Sequence, residues 1–166
     1  MGIRIYISFQ ERKWIDKHLK ALARKAFEAT LMSLSNKNIV EKKEISILAC
    51  NDQIIKKLNS QFRGKNTSTN VLSWPKNEHF PAKEYPEKSL SKGIYDLGDI
   101  AISYETCINQ AEKLGIKFEN HVVHLLVHAC LHLLGYSHQK KSDFETMKDL
   151  EIKSLELCKI ENPYEI

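Results

Sequence analysis

The stretch HACLHLLGYSH, from His128 to His138, constrains the chain more than any other. An α-helix advances about 100° per residue, so His128 and His132 share one helical face and can grip one ion together. Gly135 follows, where a residue able to adopt φ > 0 ends a helix and turns the chain back. His138 can then swing in as a third ligand. From Val122 to Leu134 every residue except His124, His128 and His132 is apolar or Cys, which predicts a helix buried all round. A single histidine there would be a packed core residue. Several on one stripe, with His121 beside them, each need polar partners or incur a desolvation cost, and one metal ion satisfies several at once.

The spacing HxxxHxxGxxH is that of the long zinc signature of the metzincin proteases, in which a helix supplies two histidines and the residues past a glycine the last. That signature carries a glutamate directly after the first histidine as general base, and Ala129 stands at that position. The cradle is therefore present without the peptidase base. His121 and His124 share the stripe but lack a glycine and third histidine in register, which leaves them roles behind the ligands, toward substrate or in plain packing. His124 with His128 is the alternative helical pair. Three imidazoles suit Zn²⁺, one per chain, although nickel, copper or iron fit the same donors. A tetrahedral ion so held keeps one position open for water or a substrate oxygen, the layout of a catalytic centre.

The 166 residues fit a single domain, 1–166, with its own core. A content of 42% hydrophobic and 28% charged residues is that of a soluble globular protein, with disorder expected only at the ends and in one loop. A net charge of +4 is compatible with nucleic acid but too small to argue for it. Cys50, Cys107, Cys130 and Cys158 form no CxxC pair, which suits free thiols in a reducing compartment and points to the cytoplasm. Cys130, opposite the histidine stripe, is expected to pack. The N-terminal MGIRIYISFQ has no cleavable apolar core, and the run 122–134 is too short to span a bilayer, so no membrane role is expected.

Along the chain, IRIYISF (3–9) alternates and is β-branched, a strand pattern. Residues 11–34 read as one helix with Trp14, Leu19, Leu22, Ala23, Ala26 and Phe27 on its apolar side and His18 solvated; Asn36 and Asn38 punctuate its end. EISILA (44–49) reads as a strand, followed by a helix capped at Asn51 or Asp52 that stops near Phe62. A polar loop then leads into a short strand at 71–74. Arg63 is the only arginine after Arg24; a solvated surface role is its commonest fate, but Thr67, Thr69, Asn70 and Ser73 nearby offer hydrogen-bonding groups suited to phosphate or sugar. Residues 76–95 read as a long exposed loop in which His79 is incidental. DLGDIAIS (96–103) is a strand with Gly98 marking a bulge or a close backbone approach. A helix over 104–114 with Gly115 as its C-cap, the histidine helix from near Asn120, and a last helix over 142–160 capped by Ser142 complete the chain. Asp143 and Glu145 early and Lys153 and Lys159 late suit the dipole of that helix. The order of elements predicts a compact α+β domain with a mixed sheet of about four strands, packed with helices, the histidine helix lying at the active-site cleft.

Three blocks, LNSQFRGKNTSTNVLSWP (58–75), LGDIAIS (97–103) and HACLHLLGYSH (128–138), together resemble the YbeY family, the bacterial zinc-dependent endoribonucleases that mature ribosomal RNA. The histidine element alone is shared with unrelated hydrolases, whereas its combination with FRxxxxxTNVLS and LGDI is specific. The resemblance implies that His128, His132 and His138 are zinc ligands and that Arg63 is the arginine implicated in activity. It further implies cleavage of single-stranded RNA, a part in 3′-end maturation of small-subunit ribosomal RNA and in ribosome quality control, and the small subunit or its assembly factors as partners. Three positions depart from the family pattern: Ser137 where Asp is usual, Asn66 where Asp is common, and Trp74 where Phe is usual. Loss of an acid at Ser137 removes a carboxylate that could support a ligand.

For a phosphodiester, the ion would activate a water or stabilise charge on a phosphoryl oxygen while Arg63 pairs with the other oxygens. No general base is evident beside the motif, and attack by the RNA 2′-hydroxyl lessens the need for one. Two other functions fit the same residues: a peptidase or amidase that draws its base from elsewhere, and a ribosome-assembly factor whose zinc is mainly structural.

Overall fold

Alternating apolar side chains set the sheet, and its pairing sets where the histidines end up. The computed structural model describes residues 2–34, 42–76 and 94–165. Strands β1 (Ile3–Phe9), β2 (Lys42–Cys50), β3 (Val71–Pro75) and β4 (Ile94–Ser103) form one sheet in the order β1-β2-β4-β3. The first three neighbours run parallel, and β3 is antiparallel to β4 at the edge. The helices are α1 (Leu19–Ser33), α2 (Asp52–Arg63), α3 (Tyr104–Leu114), α4 (Phe118–Leu133) and α5 (Lys141–Leu157). Together they make a single α+β domain with the expected mixed sheet.

Successive strand residues point to opposite faces. Ile45, Ile47 and Ala49 of β2 join Leu97, Ile100 and Ile102 of β4 in the main core, beneath α1, α4 and α5. Cys50, Leu72 and Ala101 fall on the other face under Ile54, Ile55 and Leu58 of α2. Leu97 and Ile100 share a face despite their odd separation because the pairing slips there: Glu44 lies opposite Asp96 and Ile45 opposite Gly98. Gly98 adopts φ +128°, and a Cβ on it would sit 2.1 Å from the carbonyl oxygen of Trp74. The expected bulge and the expected close approach are both present, and they bring β3 tight against β4.

The helix expected over 11–34 is interrupted. Arg12–Trp14 form a 3-10 turn, His18 takes a left-handed φ of 53°, and α1 starts only at Leu19. The break lets Trp14 turn fully inward, where its Nε1–H donates to the Cys50 carbonyl at 2.9 Å and its ring packs on Tyr104 and Phe118. His18 is exposed, as expected, but outside the helix. Strand β4 begins at Ile94, inside the loop expected over 76–95; the rest of that loop with His79, and Asn36 and Asn38, lie outside the described residues. Ser142 does not cap α5: Lys140 holds the cap position with extended backbone and no side-chain bond, and Ser142 lies in the first turn. The helix stops at Leu157 with no basic residue in its last turn, since Lys159 leaves it at φ 57°.

Candidate metal centre

Helix α4 is apolar on nearly every side because α1, α5, α3 and the sheet surround it. Only its histidine stripe meets polar surroundings, and each imidazole on it has a partner. His121 is buried, and its Nε2 meets Oε1 of Gln110 at 2.9 Å. His124 meets the Glu151 carboxylate at 3.2 Å. His128 Nδ1 donates to Oε1 of the same carboxylate, and His132 Nδ1 donates to the Tyr136 carbonyl at 3.0 Å.

Those last two bonds fix tautomers. With each Nδ1 carrying the proton of a neutral ring, each Nε2 presents a lone pair. The two Nε2 atoms lie 3.0 Å apart. Two acceptors at that distance repel unless a cation lies between them, so the donor set suits a metal ion. The third donor arrives by the turn. Gly135 takes φ 92°, and Tyr136 N–H bonds back to the Leu131 carbonyl at 3.0 Å, which reverses the chain and carries His138 over the helix end. Ligand atoms of His128, His132 and His138 all lie within 4.8 Å of one another, the first two half-buried and the third exposed. Burial, with the neighbouring rings of His128 and His138 adding to it, lowers the His132 pKa to about 4, which keeps it neutral and able to ligate.

Behind the histidine cluster stands Glu151, 1% exposed, bonded to His124, to His128 and to the Tyr164 hydroxyl, which donates at 2.5 Å. Burial alone would raise its carboxyl; the hydrogen bonds from His124, His128 and Tyr164 reverse this and hold it well below the usual carboxylate range. A fixed negative charge so placed raises the basicity of His128 toward a metal.

The histidines floor a cleft of about 760 Å³, whose walls include Arg63 at the end of α2, Thr69, Asn70, Ser73 and Trp74 along β3 and its approach, and Tyr164. Arg63 is exposed and has no carboxylate partner among the described residues. No Asp or Glu side chain lines the cleft among those residues either. A guanidinium facing a cleft with no acidic lining residue among those described, together with any cation the imidazoles hold, makes a site for an anion. Thr69 and Ser73 stand in that wall as expected, but Asn70 is used within the protein: its amide donates to Gln110 at 2.9 Å and its carbonyl oxygen accepts from Val71 N–H. Thr67 likewise ties down the loop, its carbonyl accepting from the buried Asn59.

A family model described as Endoribonuclease YbeY matches residues 6–159. The chain belongs to the YbeY endoribonuclease family. It is similar to proteins named Endoribonuclease YbeY from Dinoroseobacter shibae, 40% identical over 97% of this chain and 90% of that one, and from Paracoccus denitrificans, 42% identical over 95% and 88%. In fold it resembles a Thermotoga maritima protein of known solution structure at a TM-score of 0.54, with 24% identity across 98% of this chain and 96% of that one.

Spacing alone points to His128, His132 and His138, the YbeY resemblance adds weight to them and to Arg63, and one cleft holds all four. Glu151 and Tyr164 escaped it. A signal for Glu151 was present: it lies on the buried face of α5 with Met147, Ser154 and Leu155, at helical spacing, and a carboxylate on an apolar stripe requires a partner. Tyr164 carried none, being brought in by the chain beyond α5. Cys130 is fully buried, with its thiol pushed up to about 12, and packs as expected. All four cysteines are free. No helix among the described residues is long and apolar enough to cross a membrane.

Proposed function

We propose that the chain is a zinc-dependent endoribonuclease that cleaves single-stranded RNA, with His128, His132 and His138 as ligands of one Zn²⁺ ion and Arg63 as the catalytic residue that pairs with the scissile phosphate. The observation that carries this reading is the pair of facing Nε2 lone pairs, 3.0 Å apart, in a cleft that also holds a guanidinium and that, among the described residues, has no acidic lining and no carboxylate partner for Arg63. Family membership supplies the substrate class: the relatives named above are endoribonucleases. By the same membership the natural substrate is ribosomal RNA, at the 3′ end of the small-subunit species, in the cytoplasm, with the small subunit or its assembly factors as partners.

A zinc ion held by three imidazoles supplies Lewis acidity at a phosphoryl oxygen or at water. The protein's own groups do the remainder. Arg63 offers a planar fork of donors to the non-bridging oxygens as charge accumulates on them. Glu151 holds the His128 ring in one tautomer, and the Tyr136 carbonyl does the same for His132. Thr69 and Ser73 present hydroxyls to the sugar-phosphate chain along the same wall. A peptidase finds less support, because Ala129 is buried where the base would stand and no carboxylate lines the cleft among the described residues. A purely structural zinc normally closes its fourth position with protein, whereas three ligand atoms converge here among those residues.

Single-turnover cleavage of one labelled ribosomal RNA fragment tests the proposal, with zinc measured in every sample. Arg63→Ala should keep its zinc and lose roughly two orders of magnitude in rate; Arg63→Lys should recover only part of it, because an ammonium keeps the charge and loses the fork. Equal rates for wild type and Arg63→Ala would remove Arg63 from the site. Equal rates for His128→Ala would remove the metal from the reaction.

A further inference from the structure

One wall of the cleft is used neither by the histidines nor by Arg63. Phe62, the residue before Arg63, is 58% exposed, and its ring meets that of Trp74 edge to face, with centroids 5.5 Å apart and planes at 69°. Both rings line the cleft beside Arg63. In a T-shaped pair each ring keeps at least one face that its partner does not cover. Phe62 and the partly buried Trp74 share this cleft with the Arg63 guanidinium, whose charge draws a polyanion with no lining carboxylate among the described residues to repel it.

The geometry points to a nucleobase subsite, in which Phe62 and Trp74 stack a base of single-stranded RNA next to the phosphate that pairs with Arg63. This rests on the RNA-cleaving function proposed above and assigns a second part of the same cleft. Aromatic faces accept any base, so the subsite selects for unpaired nucleotides without reading their sequence. A base inside a duplex offers its faces to its neighbours and cannot enter. The pair would therefore contribute to the strand preference and to the hold on the substrate, leaving the chemistry to the histidines and Arg63.

The test uses the zinc-loaded full chain and a single-stranded 2′-O-methyl RNA of about 12 nucleotides, compared with an abasic strand of the same length and phosphate count. Trp14 and Trp74 are the only tryptophans, and Trp14 is fully buried, so quenching of fluorescence reports on Trp74. The base-bearing strand should quench it and bind about tenfold more tightly than the abasic one. Phe62→Ala should bring the base-bearing strand down to the abasic level with zinc content and circular dichroism unchanged, and Phe62→Tyr should keep most of the difference. Equal affinity for the two strands, both weakened by Arg63→Ala, would overturn the stacking subsite and leave the ribonuclease reading standing. So would a Phe62→Ala loss shared equally by both strands. Failure of either strand to bind, with no RNA cleaved by the wild type, would overturn the ribonuclease reading and the subsite together.

Discussion

His128 donates through Nδ1 to Glu151, a buried carboxylate 23 residues further along the chain that also takes bonds from His124 and Tyr164. Three donors on one carboxylate leave it charged and fixed, with its negative charge set directly against the His128 ring. Glu151→Gln keeps the shape and removes the charge, and it is expected to weaken zinc binding by roughly 10- to 100-fold. Competition against a chromophoric chelator measures this directly. Unchanged affinity would show that Glu151 only fills space; a smaller loss in Tyr164→Phe should accompany a real effect.

Removal of the metal should leave the fold standing. The main core lies between the sheet and α1, α4 and α5 and takes nothing from the three ligands, so the chelated protein should keep its circular dichroism while losing stability. Saturating zinc at about 100 times its dissociation constant should return about 2.7 kcal/mol, read as a rise in Tm. A His138→Ala variant should lose most of that rise. Collapse of the secondary structure on chelation would contradict this.

Gly98 is where the cleft wall is most sensitive to a single methyl group. Its φ of +128° and the 2.1 Å approach of a built Cβ to the Trp74 carbonyl leave no room for a side chain. Gly98→Ala should cost roughly 3 kcal/mol or more, on the order of 10 °C in Tm, and should loosen β3 with Trp74. A denaturation midpoint indistinguishable from wild type would show that the bulge accommodates it.

His121 predicts a pH dependence. Burial, with the neighbouring His124 adding to it, lowers its pKa from 6.5 to about 4, and its Nδ1 has no partner among the described residues. The unfolded chain takes up a proton below about 6.5 and the folded chain does not until about 4. Stability of the metal-free protein should therefore fall as pH drops through that window, by an amount of order 3 kcal/mol from this group, and His132 adds to the same fall. Urea midpoints at several pH values for wild type and His121→Gln separate the two contributions. An identical slope in the variant would exclude His121 as a source.

Much of this was legible in the sequence because the relevant signals are local. Strand β1, helix α3 with Gly115, the turn at Gly135 and the bulge at Gly98 each rest on a few adjacent residues, and each stands where the sequence indicated. What escaped depends on contacts between distant segments. The helix over 11–34 breaks at His18 because Trp14 is drawn toward the Cys50 carbonyl, 36 residues away. The five-residue step from Trp14 to Leu19, out of register with a helical stripe, was the sign that the helical period fails there. Asn70 reads as a substrate contact in isolation, yet its partner is Gln110, forty residues on. Glu151 belongs to the same class, since no spacing within α5 names the histidines it serves.

The turn at Gly135 divides the ligand set unequally. His128 and His132 ride on a helix held on nearly every side, while His138 stands on an exposed stretch beyond the turn. If these residues hold an ion, its departure is expected to be a one-ended event: the exposed His138 would let go first, leaving the helical pair with a weakened grip from which the ion would either escape or be recaptured. Residence time would then be governed by residues 135–138, and the geometry of the resting site by α4. Substitutions that stiffen or loosen that short stretch should change how fast zinc exchanges far more than where it sits.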